Sequence, residues 1–246
     1  MSNVTIKHLH VRRGANFTLQ IPHLQLSAGK VLCIIGPNGS GKTTCIETLA
    51  GIVAPNAGSV SIGGRRVGPN LRAHKAMLGF IPDDENWFVQ HLSAREYLQL
   101  LSSIYQEAGV KTDMPARVSI LARALHFSAF DQLLDQLSHG NKKKVQLIAA
   151  LMHQPKVIIV DELRNGLDPL SIIAAEDTLK AEAQRGASII AATHDLWWAQ
   201  RFADRIMLLE DGNVRVSEST RVLVGEYGSL EKMFRTTLGG AYAATL

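Results

Sequence analysis

The chain has 246 residues, 46% of them hydrophobic and 20% charged, which is ordinary for a soluble globular protein and enough for one large α/β domain with or without an inserted subdomain. No apolar run approaches the roughly 18 to 20 residues of a membrane span, and the N-terminus lacks the layout of a signal peptide, so we expect a cytosolic protein. The net charge of +4 is too small to indicate nucleic-acid binding by itself, and the two cysteines, Cys33 and Cys45, have no histidines at zinc-site spacing.

The first part of the chain is rich in strand patterns. Apolar and polar residues alternate over residues 4–9 and 17–21, and Gly14 separates the two runs, which predicts a hairpin. Residues 31–35 form a short apolar run typical of a buried parallel strand. Residues 77–81 predict another buried strand, which ends before the following proline.

A glycine-rich loop follows the strand predicted at residues 31–35 and matches the P-loop pattern G-x-x-x-x-G-K-[ST]. Its residues are Gly36, Pro37, Asn38, Gly39, Ser40, Gly41, Lys42 and Thr43. A helix is predicted to begin here, to run on through Thr44 and to end at Gly51. Such a loop points backbone N–H groups at a phosphate chain, while Lys42 reaches the β- and γ-phosphates and the Thr43 hydroxyl reaches Mg²⁺. We therefore predict a nucleoside triphosphate site.

Residues from about 93 to 153 carry helical periodicity and few strand formers. Ser93 begins a capping-box pattern at a helix start, and Gly109 is placed to end that helix. A second helix is predicted over residues 118–125, and a third is predicted to start after Gly140. This stretch is predicted to be a helical insert in an α/β chain.

The remaining chain returns to strands that alternate with helices. Buried strands are predicted over residues 157–160 and 188–193, with a helix over residues 169–184 between them. A helix over residues 197–202 and a hairpin at residues 206–216 follow, and the last thirty residues are predicted to be mixed and partly helical. Trp197 and Trp198, in the short helix, are predicted to serve helix packing near His194.

Two carboxylates close the strand predicted at residues 157–160. In a P-loop protein, Asp161 is expected to hold Mg²⁺ through water, and Glu162 is expected to orient and polarise the attacking water. A plain strand end with solvated acids explains the pair equally well in isolation, but that explanation loses weight beside a P-loop. His194 ends the next buried strand in the same way, where it would bond the γ-phosphate and the attacking water.

These elements, in this order, resemble the ATP-binding cassette (ABC) ATPase family over nearly the whole chain. The segment that decides the resemblance is similar to the family's LSGGQ signature and consists of Leu137, Ser138, His139, Gly140 and Asn141. Residues 165–169 match the family's D-loop, which contains Asp168, and His194 matches its H-loop. The resemblance implies ATP and Mg²⁺ as ligands.

The resemblance also implies an architecture. We expect an α/β fold with a P-loop NTPase core (a RecA-like mixed sheet), an N-terminal antiparallel β-subdomain and an inserted α-helical subdomain. Residues 1–246 would form a single ABC ATPase domain. Its ATP-binding core with the β-subdomain would comprise residues 1–82 and 154–216. Residues from about 83 to 153 would form the helical signature subdomain, and those from about 217 to 246 a C-terminal extension.

In this family two such domains pair head to tail, either as a homodimer or as a pseudo-dimer with another ABC ATPase subunit. The resemblance implies that Ser138, Gly140 and the helix N-terminus behind them grip the γ-phosphate of the partner's ATP. Asp168 would reach across the same interface. ATP binding would close the dimer, and hydrolysis would open it.

The sequence departs from the family pattern at several places. Asp83 is the best match for the family's Q-loop glutamine, and it is either a metal ligand or a solvated loop acid. Leu163 and Arg164 replace the usual Pro-Thr or Pro-Ser after Glu162. No aromatic residue occupies the expected adenine-stacking region, where the nearest candidates are Val11 and Arg13; the latter would stack through its guanidinium plane or is simply a surface charge.

Two segments are similar to those of ABC-2-type exporter ATPases: residues 91–98, which resemble LTVREYL, and residues 228–234, which resemble SLEEVF. They imply a one-cassette subunit that lies on the cytoplasmic face of a membrane and drives a separate integral-membrane permease, as an exporter. Trp87, Phe88 and Val89 would line the groove for the permease's coupling helix or would pack into the helical insert.

Two other classes of ABC protein compete with a transporter subunit. ABC ATPases of DNA repair or translation usually carry two cassettes or long inserts, which this chain lacks, so no nucleic-acid partner is expected. A non-hydrolysing regulator is disfavoured by the presence of Glu162 and His194. The sequence is silent on the transported substrate.

Overall fold

The computed structural model describes residues 2–14, 16–69, 72–84, 89 and 91–242. The strands are β1 (Ser2–Arg13), β2 (Phe17–Ser27), β3 (Val31–Ile35), β4 (Ala57–Ile62), β5 (Arg65–Arg66), β6 (Leu78–Ile81), β7 (Val157–Asp161), β8 (Ser188–Ala192), β9 (Arg205–Glu210) and β10 (Asn213–Ser219). The α-helices are α1 (Lys42–Leu49), α2 (Ala94–Glu107), α3 (Met114–Ala124), α4 (His139–Leu151), α5 (Pro169–Gln184), α6 (Leu196–Phe202), α7 (Thr220–Tyr227) and α8 (Leu230–Tyr242).

Across the described residues the strands form one sheet in the order β5-β4-β1-β2-β10-β9-β3-β8-β7-β6. The five strands from β9 to β6 run parallel to one another. Every residue of β3 and β8 is buried, as expected for central parallel strands that are covered on both faces. The carboxyl ends of β3, β7 and β8 therefore lie at one edge of the sheet, and the functional loops begin there.

The N-terminal strands form the antiparallel part of the sheet. β1 pairs with β2 and with β4, and Gly14 adopts a left-handed conformation (φ 61°) at the turn between β1 and β2. Alternate residues of β1 and β2 are buried, so one face of this part contributes to the core. The predicted fold class, a mixed P-loop NTPase sheet with an antiparallel N-terminal part, is confirmed.

The helices α2, α3 and α4 lie between β6 and β7 in the sequence, as predicted. Ser93 caps α2 in a complete capping box. Two helix starts differ from the prediction. Asp113 caps α3, which begins four residues earlier than expected, and the Ser138 side chain caps α4, which therefore begins at His139 and not after Gly140.

The two tryptophans of α6 have different environments. Trp198 is 1% exposed and stacks on Phe202, which confirms the predicted packing. Trp197 is 62% exposed, with the guanidinium of Arg201 over its ring, so for this residue the prediction was wrong. Successive residues on a short helix point about 100° apart, so only one of the two can face the core. Among the described residues, no helix combines the length and the apolar character that crossing a membrane requires.

Candidate nucleotide-binding site

The loops after β3, β6 and β7 meet at a cavity of about 480 Å³. The residues that line it are Phe17, Asn38, Gly39, Gly41, Lys42, Thr43, Thr44, Asp83, Asp161 and Glu162. Except for Phe17, each of these residues was predicted from the sequence to bind phosphate, to bind metal or to orient the attacking water. The parallel register explains this convergence. It pairs Asp161, the last residue of β7, with Ala192, the last residue of β8, so the two strands end at the same edge of the sheet.

Two P-loop glycines hold the backbone in a shape that other residues would not tolerate. A Cβ atom at Gly36 would collide with the backbone carbonyl of Leu209, and one at Gly41 would lie 2.8 Å from the Phe17 ring. Gly41 (φ 105°) is the N-cap of α1, and no side chain caps this helix. The first N–H groups of α1 therefore lack a side-chain partner and are available to an anion.

Lys42 folds back over the loop. Its Nζ donates to the carbonyls of Gly36 at 2.8 Å and Pro37 at 3.0 Å. Burial lowers the pKa of Lys42, and the nearby charges of Glu162 and Asp161 oppose that shift. A phosphate group in the cavity would offer the ammonium group a stronger, charged acceptor than the two carbonyls. The Ser40 hydroxyl is fully buried beneath the loop, with no hydrogen-bond partner in the described part of the chain.

Glu162 is held against the loop that follows β8. Its carboxylate accepts from the Thr193 hydroxyl at 3.2 Å and from the His194 backbone N–H at 3.1 Å. The His194 Nδ1 lies 2.9 Å from the same carboxylate. Glu162 adopts a left-handed conformation (φ 45°), which is strained for a non-glycine residue. The structure thus brings together the two residues that the sequence assigned to the attacking water.

Asp161 lies beside them in an unfavourable place for a charge. Burial, and then the charges of Asp83 and Glu162, raise its pKa to about 6, although Lys143 and Lys42 oppose the shift. Asp83 also accepts a hydrogen bond from the Asn165 side chain at 2.9 Å. A cation in the cavity would relieve the repulsion between these carboxylates.

The donor set fits Mg²⁺ only together with phosphate. Thr43, Asp83 and Asp161 offer a hydroxyl and two carboxylates around one cavity. Within the described ranges, no three histidine, cysteine or acidic side chains converge closely enough to hold a metal ion unaided. Mg²⁺ typically binds through one or two carboxylates plus substrate phosphates, and this arrangement fits that pattern.

The candidates for the adenine contact have different environments. Val11 is fully buried in the core, so it presents no surface to a base. Arg13 forms an ion pair with Glu47 of α1. Phe17, which the sequence analysis missed, pairs with Arg13 across the β1–β2 hairpin, and its ring lies against Gly41. The hairpin register was the signal that could have found Phe17, since it places this aromatic residue beside the expected position.

The signature segment lies outside this cavity. None of residues 137–141 is among the described residues that line it. Ser138 accepts from the backbone N–H of Asn141 at 3.4 Å, and a Cβ atom at Gly140 would lie 3.2 Å from the carbonyl of Gly166. The signature therefore packs closely against the D-loop of its own chain. Asp168 caps α5, and its hydrogen bonds from Ser171 lower its pKa.

The predicted groove for a permease helix falls mainly outside the described residues. Trp87 and Phe88 are not among them. Val89 is described and is 52% exposed.

A P-loop after β3, with Asp161 and Glu162 at the end of β7 two strands away on the same edge of the parallel sheet, defines the class of P-loop nucleoside triphosphatases. The comparison with protein families narrows that class, because the model described as "ABC transporter" matches residues 19–165. This match covers more than half of the chain, and the chain belongs to the ABC transporter family.

Similar proteins agree with this assignment. The Nod factor export ATP-binding protein I of Rhizobium sp. (strain N33) is 30% identical over 231 residues, which cover 92% of this chain and 75% of that protein. The SkfA peptide export ATP-binding protein SkfE of Bacillus subtilis (strain 168) is 32% identical over 197 residues, with 79% and 80% covered. A solved ATP-binding subunit of an ABC transporter has a TM-score of 0.88 at 26% identity and covers 96% of this chain and 99% of its own.

The family fixes the general activity. The chain is an ABC-type ATPase that binds ATP and hydrolyses it, and proteins of this kind work with a membrane permease. The roles of its individual residues are matters for proposal.

Proposed function

We propose that this chain is the ATP-hydrolysing subunit of an exporter and that it works at the cytoplasmic face of a membrane. The observation that carries the proposal is the single cavity at which Lys42, Asp161 and Glu162 meet. The direction of transport rests on the relatives whose names state Nod factor export and peptide export. It also rests on the resemblance of residues 91–98 and 228–234 to ABC-2-type exporter ATPases.

The P-loop and α1 bind the triphosphate in this proposal. Lys42 exchanges its two carbonyl partners for phosphate oxygens, and the uncapped N–H groups of α1 bond the same phosphates. Thr43, Asp161 and Asp83 would hold Mg²⁺, which supplies positive charge beside the transferring phosphate when it is bound. Phe17 supports the base by ring stacking, while the Arg13 guanidinium is engaged in its ion pair with Glu47.

Glu162 and His194 act on the attacking water. In the observed arrangement the Glu162 carboxylate is occupied by three donors from residues 193 and 194. One oxygen must turn from these donors toward the water for Glu162 to orient it and accept its proton. His194, which lies beside Glu162 and next to the P-loop residues 36–38 but is not among the described residues that line the cavity, then remains as a donor. The strained backbone of Glu162 is consistent with a residue that is positioned for a reaction.

The second half of each site comes from a partner subunit. Residues 137–141 lie outside the cavity of their own chain, which is consistent with a role at the ATP of another subunit. We propose a head-to-tail dimer, with an identical or a homologous ATPase subunit, that ATP closes. Ser138, His139, Gly140 and Asn141 face the partner's γ-phosphate in this dimer, behind Leu137, which is buried. Asp168 approaches the same interface.

Affinity purification from solubilised membranes tests the proposal. The Glu162→Gln variant should retain ATP and co-purify with a multi-spanning permease, while Lys42→Ala should purify without ATP. The permease, reconstituted with the wild-type chain in vesicles, should increase the rate of phosphate release. Recovery with nucleic acid or ribosomes in place of a permease would favour the DNA-repair or translation class and would refute the exporter.

A further inference from the structure

Lys143 is buried, although it lies in a run of three lysines on α4. The residue is 3% exposed, whereas Lys142 and Lys144 on either side are part-exposed. A lysine is almost never fully buried unless its ammonium group has partners. Here Nζ donates to the backbone carbonyl of Pro82 at 2.8 Å and lies 3.4 Å from that of Asp161. One side chain of the signature helix therefore reaches the ends of both β6 and β7.

Gln146 makes a second contact of the same kind. It lies three residues further along α4, on the same face, and is 5% exposed. Its Nε2 donates to the backbone carbonyl of Asp84 at 2.9 Å. Lys143 and Gln146 thus hold the Pro82 and Asp84 carbonyls on either side of Asp83, which lines the nucleotide cavity.

The two carbonyl contacts of Lys143 explain why a charged side chain occupies this buried position. An apolar side chain of the same length would fill this space without the cost of burying an ammonium group. The lysine instead holds two backbone carbonyls that would otherwise be buried with fewer partners. Its charge also lies near the acidic edge of the cavity, where it opposes the raised pKa of Asp161.

We propose that Lys143 is a positioning residue that fixes the Pro82–Asp84 turn to the signature helix and so places Asp83 at the nucleotide cavity. Gln146 supports the same turn. Because Ser138 caps the helix that carries both side chains, a movement of the signature segment is transmitted to Asp83 and the end of β7 of the same chain. This inference rests on the proposed metal-binding role of Asp83 and Asp161.

Metal binding measured by electron paramagnetic resonance provides the test. Free Mn²⁺ is followed as it is titrated into protein loaded with a non-hydrolysable ATP analogue. Lys143→Met keeps the length of the side chain but removes both contacts. Lys144→Met is the matched control, since Lys144 donates to the His126 carbonyl at 3.5 Å and its charge acts on Asp168, neither of which lines the cavity. We expect about tenfold weaker Mn²⁺ binding in Lys143→Met. In Lys144→Met the change should stay within about twofold.

The sign of the effect separates positioning from simple charge. If Lys143 acted only as a counter-charge, its removal would make the edge more negative, and Mn²⁺ would bind more tightly; tighter or unchanged binding overturns the proposal. Gln146→Met leaves the charge intact and should weaken Mn²⁺ binding in the same direction, by about threefold. It also decides the question should Lys143→Met fail to fold, because wild-type Mn²⁺ binding in Gln146→Met overturns the proposal.

The wild-type chain distinguishes this inference from the proposed function. If the loaded wild-type protein binds no Mn²⁺, the proposed metal site fails and the inference fails with it. If the wild type binds Mn²⁺ and Lys143→Met matches it, the proposed function stands and only the role of Lys143 is refuted. Metal-free binding of the analogue, measured in EDTA, should be unchanged in both lysine variants.

Discussion

The two helix N-termini that carry the phosphate motifs are built differently. α1 begins at Lys42 with Gly41 as its N-cap and no side-chain cap, and Lys42 folds over the P-loop. α4 begins within the signature, at His139, and Ser138 caps it by accepting a long hydrogen bond, 3.4 Å, from the Asn141 N–H. The N-terminus of α1 therefore lies at the cavity of its own chain, whereas that of α4 lies at the surface and is capped by its own Ser138.

The difference fits a site that two subunits share. The uncapped N–H groups of α1 are available to a ligand, whereas at α4 the Ser138 oxygen already accepts the cap hydrogen bond and its O–H is left to donate to a phosphate. The N-terminus of α1 serves the cavity of its own chain, whereas α4 acts only in the proposed dimer, so substitutions at the two helices should affect different steps.

Glu162→Gln should have the largest effect, because it removes the group that accepts a proton from water. We expect the rate of phosphate release to fall by about 100-fold or more, while ATP affinity stays close to that of the wild type. The variant should form a dimer in ATP that is detected by size-exclusion chromatography. Glu176→Gln on α5 is the control. Turnover near the wild-type rate would show that another residue orients the water.

Lys42→Ala tests nucleotide binding by the P-loop and α1, which requires no dimer. It removes the ammonium group that we expect to contact the phosphates, so ATP affinity measured by calorimetry should fall by about 100-fold. The melting temperature of the nucleotide-free protein should change little, since both hydrogen bonds of Lys42 go to loop carbonyls and its burial offsets its attraction to Glu162 and Asp161. Lys7→Ala, on the exposed part of β1, should bind ATP normally. Tight ATP binding by Lys42→Ala would refute the P-loop assignment.

Ser138→Asp tests the α4 side. Aspartate is as good an N-cap as serine, so the melting temperature should be kept. Its charge would repel the partner's γ-phosphate, and we expect ATPase activity to fall by about 30-fold with ATP binding to the monomer unchanged. Ser219→Asp makes the same substitution at the cap of α7 and should leave activity unchanged. Full activity in Ser138→Asp would place the signature away from the phosphate.

Phe17→Ala tests whether Phe17 stacks on the nucleotide base at the site that α1 forms. Loss of base stacking should lower affinity for ATP by about tenfold and should leave binding of inorganic triphosphate unchanged. Arg13→Ala should lower ATP affinity by less, since Arg13 is paired with Glu47. Equal losses for ATP and triphosphate in Phe17→Ala would show that the ring only supports the loop at Gly41.

The smallest expected effect is that of Asp161→Asn on the free energy of unfolding of the ligand-free protein. The pKa of Asp161 is raised to about 6, so its ionised form destabilises the fold above pH 6, and this destabilisation is relieved as the pH falls toward 4. In urea unfolding at pH 7.5, Asp161→Asn should be about 1 to 2 kcal/mol more stable than the wild type, after allowance for partial exposure. The difference should shrink toward pH 4.

Asp168 provides the opposite case. Its pKa is lowered by the cap hydrogen bonds from Ser171, so its ionised form stabilises the fold above pH 4, and the stabilisation is lost as the pH falls. Asp168→Asn should therefore be less stable than the wild type at pH 7.5. A stabilising effect of both substitutions would show that general charge repulsion, and not the local environment, sets their pKa values.

Much of the fold was predictable because its signals are local. The four-residue apolar run that begins at Val157 and the capping box at Ser93 each depend on neighbours in sequence, and both elements formed as predicted. Helix starts were less predictable where a polar residue before the expected first residue could act as the N-cap. Ser138 does so for α4, which therefore begins earlier than predicted. The fates of Trp197 and Trp198 were decided by which side of α6 faces the core.

The sequence by itself determined the chemical groups at the nucleotide site and their order along the chain, because phosphate binding requires glycines, a lysine and carboxylates at fixed spacings. Only the tertiary structure decided which distant groups meet. The hairpin register placed Phe17 beside Gly41, and the packing of α4 against the ends of β6 and β7 buried Lys143 between two carbonyls. The hairpin register is local and could have indicated Phe17, but the contacts of Phe17 with Gly41 and of Lys143 with the ends of β6 and β7 join residues far apart in sequence, so no local pattern encodes them.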